Sequence, residues 1–453
     1  MQNDKSFLAT KPVGRLLFEL AIPAIVAQIV NMLYNIIDRI YIGHIPNSGS
    51  LALTGVGVCL PLILIISAFS SFAASGGAPR ASIYMGKGDT DTAEKILGSC
   101  AFLQICLSLV LTAVMFFKSK DLLLMFGASE NTISFACSYM KIYSAGTIFV
   151  QLTLGLNAFI TAQGFAKTSM ITVLIGAALN IILDPVFIFA LNMGVSGAAL
   201  ATVISQGISC IWVLFFLTGK KTTLRLKAKN FRLNSKLVLP CIALGLSTFV
   251  MQSSESVISV CFNSSLLKYG GDIAVGAMTI LSGVMQFALL PLQGIGQGAQ
   301  PIISYNFGAK ISERIKKSYK LLLTASLTYS FILWASIMLF PNFYAKLFST
   351  DAALIAFTAR ALRIYCAVLF MFGIQTACQM AFVSIGSAVC SIIVAVTRKF
   401  VLLVPLIYIM PNIISDKVTG VYMAEPIADA IAVTFTAVLF YFRFKKSLRN
   451  LNS

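Results

Sequence analysis

Long apolar stretches alternate with short polar segments along almost the whole chain. Twelve of the apolar stretches have about 20 residues or more, the length that an α-helix needs to cross a hydrocarbon core. Numbered in chain order, the predicted spans 1 to 12 cover residues 16–42, 52–78, 93–117, 131–162, 167–191, 194–217, 236–262, 273–299, 316–341, 352–378, 386–411 and 418–443. We therefore expect an all-α polytopic membrane protein with 12 transmembrane helices.

A single long basic connection divides the twelve spans into two sets of six. We predict an N-lobe at residues 1–217, a cytoplasmic basic linker at residues 218–235, a C-lobe at residues 236–443 and a cytoplasmic tail at residues 444–453. The division suggests that the two lobes are copies of one ancestral unit.

The two sets resemble each other in sequence. Residues 76–95 and 298–317 match at a constant offset of 222, with glycine, proline, serine and lysine recurring in the same order. The first spans of the two sets match at an offset of 217, and this offset pairs Asp38 with Glu255. Six spans in each set give both copies the same orientation, as in transporters built from parallel repeats. The sequence thus predicts two six-helix lobes related by an internal repeat.

The composition agrees with a membrane protein, and the charges set its orientation. Hydrophobic residues make up 58% of the chain and charged residues only 11%, whereas a soluble domain has about 45–50% and about 25%. Of the 34 Lys and Arg residues, 23 fall on one predicted side of the membrane and six on the other. Cytoplasmic loops collect positive charge. The split of 23 to six therefore predicts cytoplasmic termini, and since it accounts for most of the net charge of +18, we expect no nucleic acid partner. The expected location is a bacterial inner or plasma membrane.

Five acidic residues lie in the outer half of their predicted spans. They are Asp38, Asp184, Glu255, Glu425 and Asp429. An ionised carboxylate in hydrocarbon costs several kcal/mol, so an acid at this depth is a functional candidate. We expect these acids to line an aqueous cavity between the two halves.

Two polar side chains extend the acidic group in the first half. Asn180 precedes Asp184 by four residues and shares its helix face, and Thr202 lies at a similar depth in span 6. Together with Asp38 they form an oxygen-rich set that suits a proton or a hard cation such as Na⁺. We predict ion coupling at these four residues.

Further candidates for the cavity are aromatic or amide residues at the neighbouring positions Asn31, Tyr34, Tyr139 and Asn157. Aromatic rings beside carboxylates suit an amphipathic organic cation, which cation–π attraction and charge both favour. Pro23 could let span 1 bend and is the predicted hinge.

Structural alternatives stay open for these residues. Asp184 precedes Pro185 and could satisfy the backbone at a kink, and Asp38 could pair with Arg39. Glu425 and Asp429 could pair with Arg363 or Arg398. Asn31, Tyr34 and Asn157 could be helix-packing contacts, and Pro23 a kink without a role in gating.

Three segments resemble the multidrug and toxic compound extrusion (MATE) family, which belongs to a superfamily that includes lipid flippases. They are AIPAIVAQIVNMLYNIIDRIYIGH (21–44), ALNIILDPVFIFALNMGVSGAALATVISQ (178–206) and LPLQGIGQGAQPIISYNFGAK (290–310), and the resemblance covers nearly the whole chain. It implies an exporter of organic cations driven by inward Na⁺ or proton flow. It also implies two lobes that alternate between inward-facing and outward-facing states.

The resemblance also implies roles for individual residues. The family's span 1 acid corresponds to Asp38, its span 5 pair to Asn180 and Asp184, and its span 6 threonine to Thr202. Glu255 matches a span 7 acid of the NorM-type branch. That branch also uses an acid in span 10, which residues 364–382 lack. A sodium site around Glu255 would need Glu425 or Asp429 as a substitute, so we place coupling in the first lobe.

The predicted function is secondary active antiport of amphipathic cations by a monomer embedded in the lipid bilayer. No cofactor is expected besides the coupling ion. A flippase for lipid-linked precursors is the alternative, but it would favour a basic cavity. A transporter of the major facilitator type would carry a characteristic short basic loop between spans 2 and 3, and this loop is absent from the sequence. A membrane enzyme would need a metal or nucleophile cluster, and one histidine with scattered cysteines does not supply it.

Overall fold

A computed structural model describes residues 7–46 and 48–452 of the chain. The outer ends of the predicted N-lobe and tail, residues 1–6 and 453, lie outside the described residues. In the described part the chain is helical almost throughout and forms no β-strand. The all-α prediction is confirmed.

Long apolar helices occur at all twelve predicted spans. Ten spans are separate segments: Val13–Gly43, Gly49–Gly86, Thr90–Met125, Ile133–Ala145 with Thr147–Ala162, Ala166–Ala190, Gly194–Thr218, Ser312–Leu339, Ala352–Tyr365 with Leu369–Ser384, Ala388–Ile413 and Lys417–Leu451. Spans 7 and 8 form the segment Ser235–Gly308, which is interrupted at Gly271. The φ of 65° at Gly271 is in the left-handed region that favours glycine.

Several spans depart from a straight α-helix. Span 4 bends by 57° between its two parts and span 10 by 48°. Wider π-helical turns occur at Phe72–Gly77 in span 2, Val186–Ala190 in span 5 and Thr397–Leu403 in span 11. Such turns are often associated with function, and two of them adjoin the charged residues described below.

The chain forms two compact units whose borders differ from the predicted lobe borders. The first-half unit comprises residues 22–252, and the second-half unit comprises residues 7–21 together with 253–452. The border residues fall inside the helices of spans 1 and 7. Each unit therefore contains the segment that leads into the first span of the other half.

The segment before span 7 is built into the first-half unit. Leu224 is fully buried, and Gln163 Oε1 accepts hydrogen bonds of 2.8 Å from Thr222 Oγ1 and from the Leu224 amide. Beyond the connection, the start of span 7 packs so closely that a Cβ at Gly76 would collide with the Cys241 carbonyl. The predicted linker is thus an ordered part of this unit.

The segment before span 1 is built into the second-half unit in a similar way. The carbonyl of the buried Leu8 accepts hydrogen bonds of 3.0 Å from Asn306 Nδ2 and from Arg314 Nη2. A Cβ at Gly298 would collide with the backbone of Ala21. These contacts explain why residues 7–21 belong to the second-half unit.

Candidate functional site

Two buried acids meet inside the first-half unit. Span 1 positions Asp38, which is 9% exposed, and span 5 positions Asp184, which is fully buried. Their carboxyl groups are electrostatic neighbours. Among the described residues no donor reaches Asp38 Oδ1 or Asp184 Oδ2. An ionised carboxylate can only accept hydrogen bonds, so a hydrogen bond between the two groups would require a proton on one of them.

The local sequence of span 5 positions Asp184. Pro185 has no amide hydrogen to continue the α-helical pattern, and the wider turns of Val186–Ala190 follow it. One helical turn earlier, Asn180 Nδ2 lies 3.3 Å from Asp184 Oδ1 and 3.4 Å from Thr202 Oγ1. The Thr202 hydroxyl donates to the Ala198 carbonyl at 3.0 Å, which leaves it able to accept from Asn180.

These groups could hold a hard cation as well as a proton. Asp38 Oδ1, Asp184 Oδ2 and Asn180 Oδ1 are buried oxygens that receive no hydrogen bond from the described residues, and oxygens of this kind are the ligands of hard cations. Arg39 is exposed, and within the described ranges it forms no ion pair with Asp38. The four residues predicted for coupling therefore form one oxygen-rich set.

Three tyrosines surround this set. Tyr34 is an electrostatic neighbour of both acids, and Tyr139 is a neighbour of Asp38. The Tyr139 ring stacks on Tyr143 with a centroid distance of 6.0 Å, and both rings are buried. The sequence analysis missed Tyr143, although its position one helical turn after Tyr139 was a usable signal.

The other candidates of the first half have different surroundings. The Asn31 side chain is exposed. Asn157 Nδ2 donates to the Ser169 carbonyl at 3.2 Å, and Ser169 lies about 22 Å along span 5 from Asp184 at 1.5 Å per residue. Pro23 is buried within the helix Val13–Gly43, next to the border of the unit. The structure does not bring Asn157 to the paired acids.

The acids of the second-half unit have cationic partners. Arg398 Nε lies 2.6 Å from Asp429 Oδ1, and Arg398 Nη2 lies 3.1 Å from Glu425 Oε1. The guanidinium also lies 4.8 Å from the centroid of the Phe372 ring. Arg363, the other partner considered from the sequence, instead donates to a backbone carbonyl at 3.3 Å.

Glu255 also has a partner, which the sequence analysis did not identify. Lys399 Nζ lies 2.7 Å from Glu255 Oε1; the lysine side chain is 6% exposed and the glutamate side chain 57%. Of the alternatives left open for Glu425 and Asp429, the structure has the pairing with Arg398, and span 11 also supplies the partner of Glu255. Two adjacent cations in an apolar span were the available signal, since buried charges are usually paired.

Known proteins resemble this chain over its full length. A family model described as MatE matches residues 23–186 and 247–409. The multidrug export protein MepA of Staphylococcus haemolyticus (strain JCSC1435) is 24% identical over 451 residues, which cover 99% of this chain and 97% of that protein. A crystal structure of MATE in the bent conformation has a TM-score of 0.92 at 22% identity and covers 98% of both chains.

A second solved structure has the same fold. It is the outward-facing conformation of a multidrug resistance MATE family transporter of the MOP superfamily, with a TM-score of 0.88, 23% identity and 98% coverage of both chains. Together with the twelve apolar helical segments, these similarities establish a multi-pass membrane protein.

Proposed function

The chain belongs to the MatE family, and on this premise we propose that it exports drug-like organic cations across a cell membrane in exchange for an inward-moving ion. The observation that carries this proposal is the proximity of the carboxyl groups of Asp38 and Asp184, which are buried in the first-half unit and form no ion pair with a cation among the described residues. The full-length similarity to the multidrug export protein MepA supports the choice of substrate class.

The surroundings of the two acids favour a positively charged ligand. A buried carboxylate needs a proton, a metal ion or an organic cation to offset its loss of hydration. The nearby rings of Tyr34 and Tyr139 add cation–π attraction for an organic cation. An anionic substrate would gain from neither feature.

The same negative charge serves both ligands in the proposed mechanism. An ion that neutralises the acids removes the attraction for the substrate, and a bound cationic substrate opposes ion binding. This coupling is reciprocal, as linkage between two ligands requires. Export then follows if the acids exchange one ligand for the other on opposite sides of the membrane. In the proposed orientation both termini lie in the cytoplasm. Pro23 is the proposed hinge that lets span 1 bend between the two states.

We favour the proton as the coupling ion. Two buried carboxyl groups that are close neighbours cannot both be ionised without strong repulsion, so the pair suits a shared proton. Bound Na⁺ would instead draw the free oxygens of Asp38, Asp184 and Asn180 towards itself. Proton coupling and sodium coupling can therefore be distinguished by imposing a pH gradient and a sodium gradient separately.

The test is export of ethidium by the purified chain in proteoliposomes, with a pH gradient or a sodium gradient imposed one at a time. We expect transport to follow the pH gradient, and the Asp38→Asn variant to be inactive at equal protein content. Transport driven by sodium alone would contradict proton coupling but retain antiport. Transport that ignores both gradients, or full activity of Asp38→Asn, would overturn the proposed mechanism.

A further inference from the structure

A basic pocket lies within the second-half unit, where span 1 and span 9 begin. Its volume is about 440 Å³, within the range of roughly 300–1,000 Å³ that is typical of small-ligand sites. It is lined by Pro12, Val13, Glu313, Arg314, Lys316, Lys317 and Lys320. The lining thus contains four cations and one acid, which indicates an anionic ligand.

Two of the four cations are available to a ligand. Arg314 is occupied by backbone carbonyls of the N-terminal segment, including that of Lys11 at 2.7 Å, and Lys316 pairs with Glu313 at 2.9 Å. Lys317 and Lys320 are exposed, and the described part of the chain offers them no ion-pair partner. Their spacing of three residues places both on one face of span 9.

The position of the pocket at the start of two membrane-spanning helices places it, by inference, at the level of lipid headgroups. Pro12 and Val13 lie at the start of the helix Val13–Gly43, and the lysines lie in the first turns of Ser312–Leu339. Further along span 1, Phe18 is 69% exposed, as expected of a side chain that faces lipid chains. Basic pockets at helix ends on this boundary are typical sites for anionic headgroups.

The equivalent positions in the first half carry paired charges. At the offset of 222, Lys317 corresponds to Lys95, which forms an ion pair with Asp91. Lys316 corresponds to Glu94, and Glu94 pairs with Lys227 at 2.5 Å. The charge excess in the second half is therefore a particular property of that half and not a general result of the repeat.

We propose that this pocket, with Lys317 and Lys320 as its ligand-binding cations, holds the phosphate of an anionic phospholipid headgroup. The headgroup lies across the first turns of spans 1 and 9, and its acyl chains run along the apolar face that includes Phe18. The site is separate from the paired acids and does not depend on the direction of transport or on the coupling ion.

The experiment measures lipid binding to the detergent-purified full chain by native mass spectrometry. Phosphatidylglycerol is the anionic probe, phosphatidylcholine the zwitterionic control and glycerol 3-phosphate the soluble control. We expect Lys317→Gln/Lys320→Gln to weaken phosphatidylglycerol binding roughly 30-fold, which equals about 2 kcal/mol at about 1 kcal/mol for each basic residue. Lys317→Arg/Lys320→Arg should retain binding, and Lys95→Gln should bind like the unmodified chain.

Each contrary outcome overturns part of this assignment. Equal binding by the glutamine and unmodified chains would remove the two lysines from the site. Equal losses in the glutamine and arginine variants would mean that charge is not the cause. Equal binding of phosphatidylcholine would exclude recognition of a net negative charge, and equal binding of glycerol 3-phosphate would assign the pocket to a soluble phosphate ester.

Discussion

The two halves of the chain place an acid at corresponding positions but give it partners of opposite charge. Asp38 in span 1 corresponds to Glu255 in span 7 at the repeat offset of 217. Asp38 meets the carboxyl group of Asp184 from span 5, whereas Glu255 meets the ammonium group of Lys399 from span 11. Asp38 therefore has another acid as its neighbour and no ion pair among the described residues, whereas Glu255 has a cationic partner.

The helices that supply these partners each contain a proline and a π-helical segment. Pro185 in span 5 corresponds to Pro405 in span 11 at an offset of 220. A π-helical segment follows Pro185, and another, Thr397–Leu403, ends before Pro405. The acid Asp184 thus lies just before the π-helical segment of span 5, whereas Arg398 and Lys399 lie within that of span 11.

The strongest test of this difference compares the two acids in transport. We expect Asp184→Asn to abolish ethidium export in proteoliposomes, because the amide cannot exchange a proton or hold net negative charge. Glu255→Gln should retain export, since Glu255 is already neutralised by Lys399. Equal losses in the two variants would show that both halves take part in coupling.

The second test concerns stability, for which we expect the larger effect from a substitution in the second half. Arg398→Met leaves Glu425 and Asp429 buried without their cation, and breaking a buried pair in this way costs about 3–5 kcal/mol. Thermal unfolding of the detergent-purified chain should show a large loss. Asp184→Asn is the matched change in the first half, and it should be neutral or stabilising because it relieves an uncompensated acid.

A triple variant checks the reason for that loss. Arg398→Met/Glu425→Gln/Asp429→Asn removes the cation and both carboxylates, and it should recover much of the stability lost in Arg398→Met. No recovery would indicate that the guanidinium acts mainly by packing against Phe372, 4.8 Å from the ring centroid.

A smaller effect is expected at the edge of the first-half site. Thr202→Val removes the hydroxyl 3.4 Å from Asn180 Nδ2, and a single hydrogen bond contributes about 0.5–1.5 kcal/mol. We expect a modest loss of thermal stability together with weaker ethidium binding, because the Asn180 amide loses one of its two acceptors. Thr202→Ser keeps the hydroxyl and should behave like the unmodified chain in both measurements.

The smallest effect is expected at Lys399. The Glu255 side chain is 57% exposed, so solvent can replace most of what the ion pair provides, and exposed pairs contribute about 0.2–1 kcal/mol. Lys399→Met should change the thermal unfolding midpoint little compared with Arg398→Met. A loss as large as that of Arg398→Met would mean that the second half depends on both of its cations.

Much of the fold could be predicted from the sequence, because membrane helices need long apolar segments and each span supplies one. The borders of the units could not be predicted, since they depend on close packing at positions such as Gly76 and Gly298 that a hydropathy pattern does not reveal. The proximity of Asp38 and Asp184 agrees with their predicted place in the outer half of their spans. The Glu255–Lys399 pair was missed because depth alone does not indicate which faces of two distant spans meet.

The exchange of leading segments between the halves has an evolutionary consequence. Residues 7–21 complete the unit of the second half, and residues 218–252 complete the unit of the first. A gene cut at the connection would give two products that each lack a piece of their own core, as in a domain-swapped dimer. A single-copy ancestor with this packing would therefore have worked only as a pair of chains. After fusion, neither copy could be lost alone, while their buried charges were free to diverge.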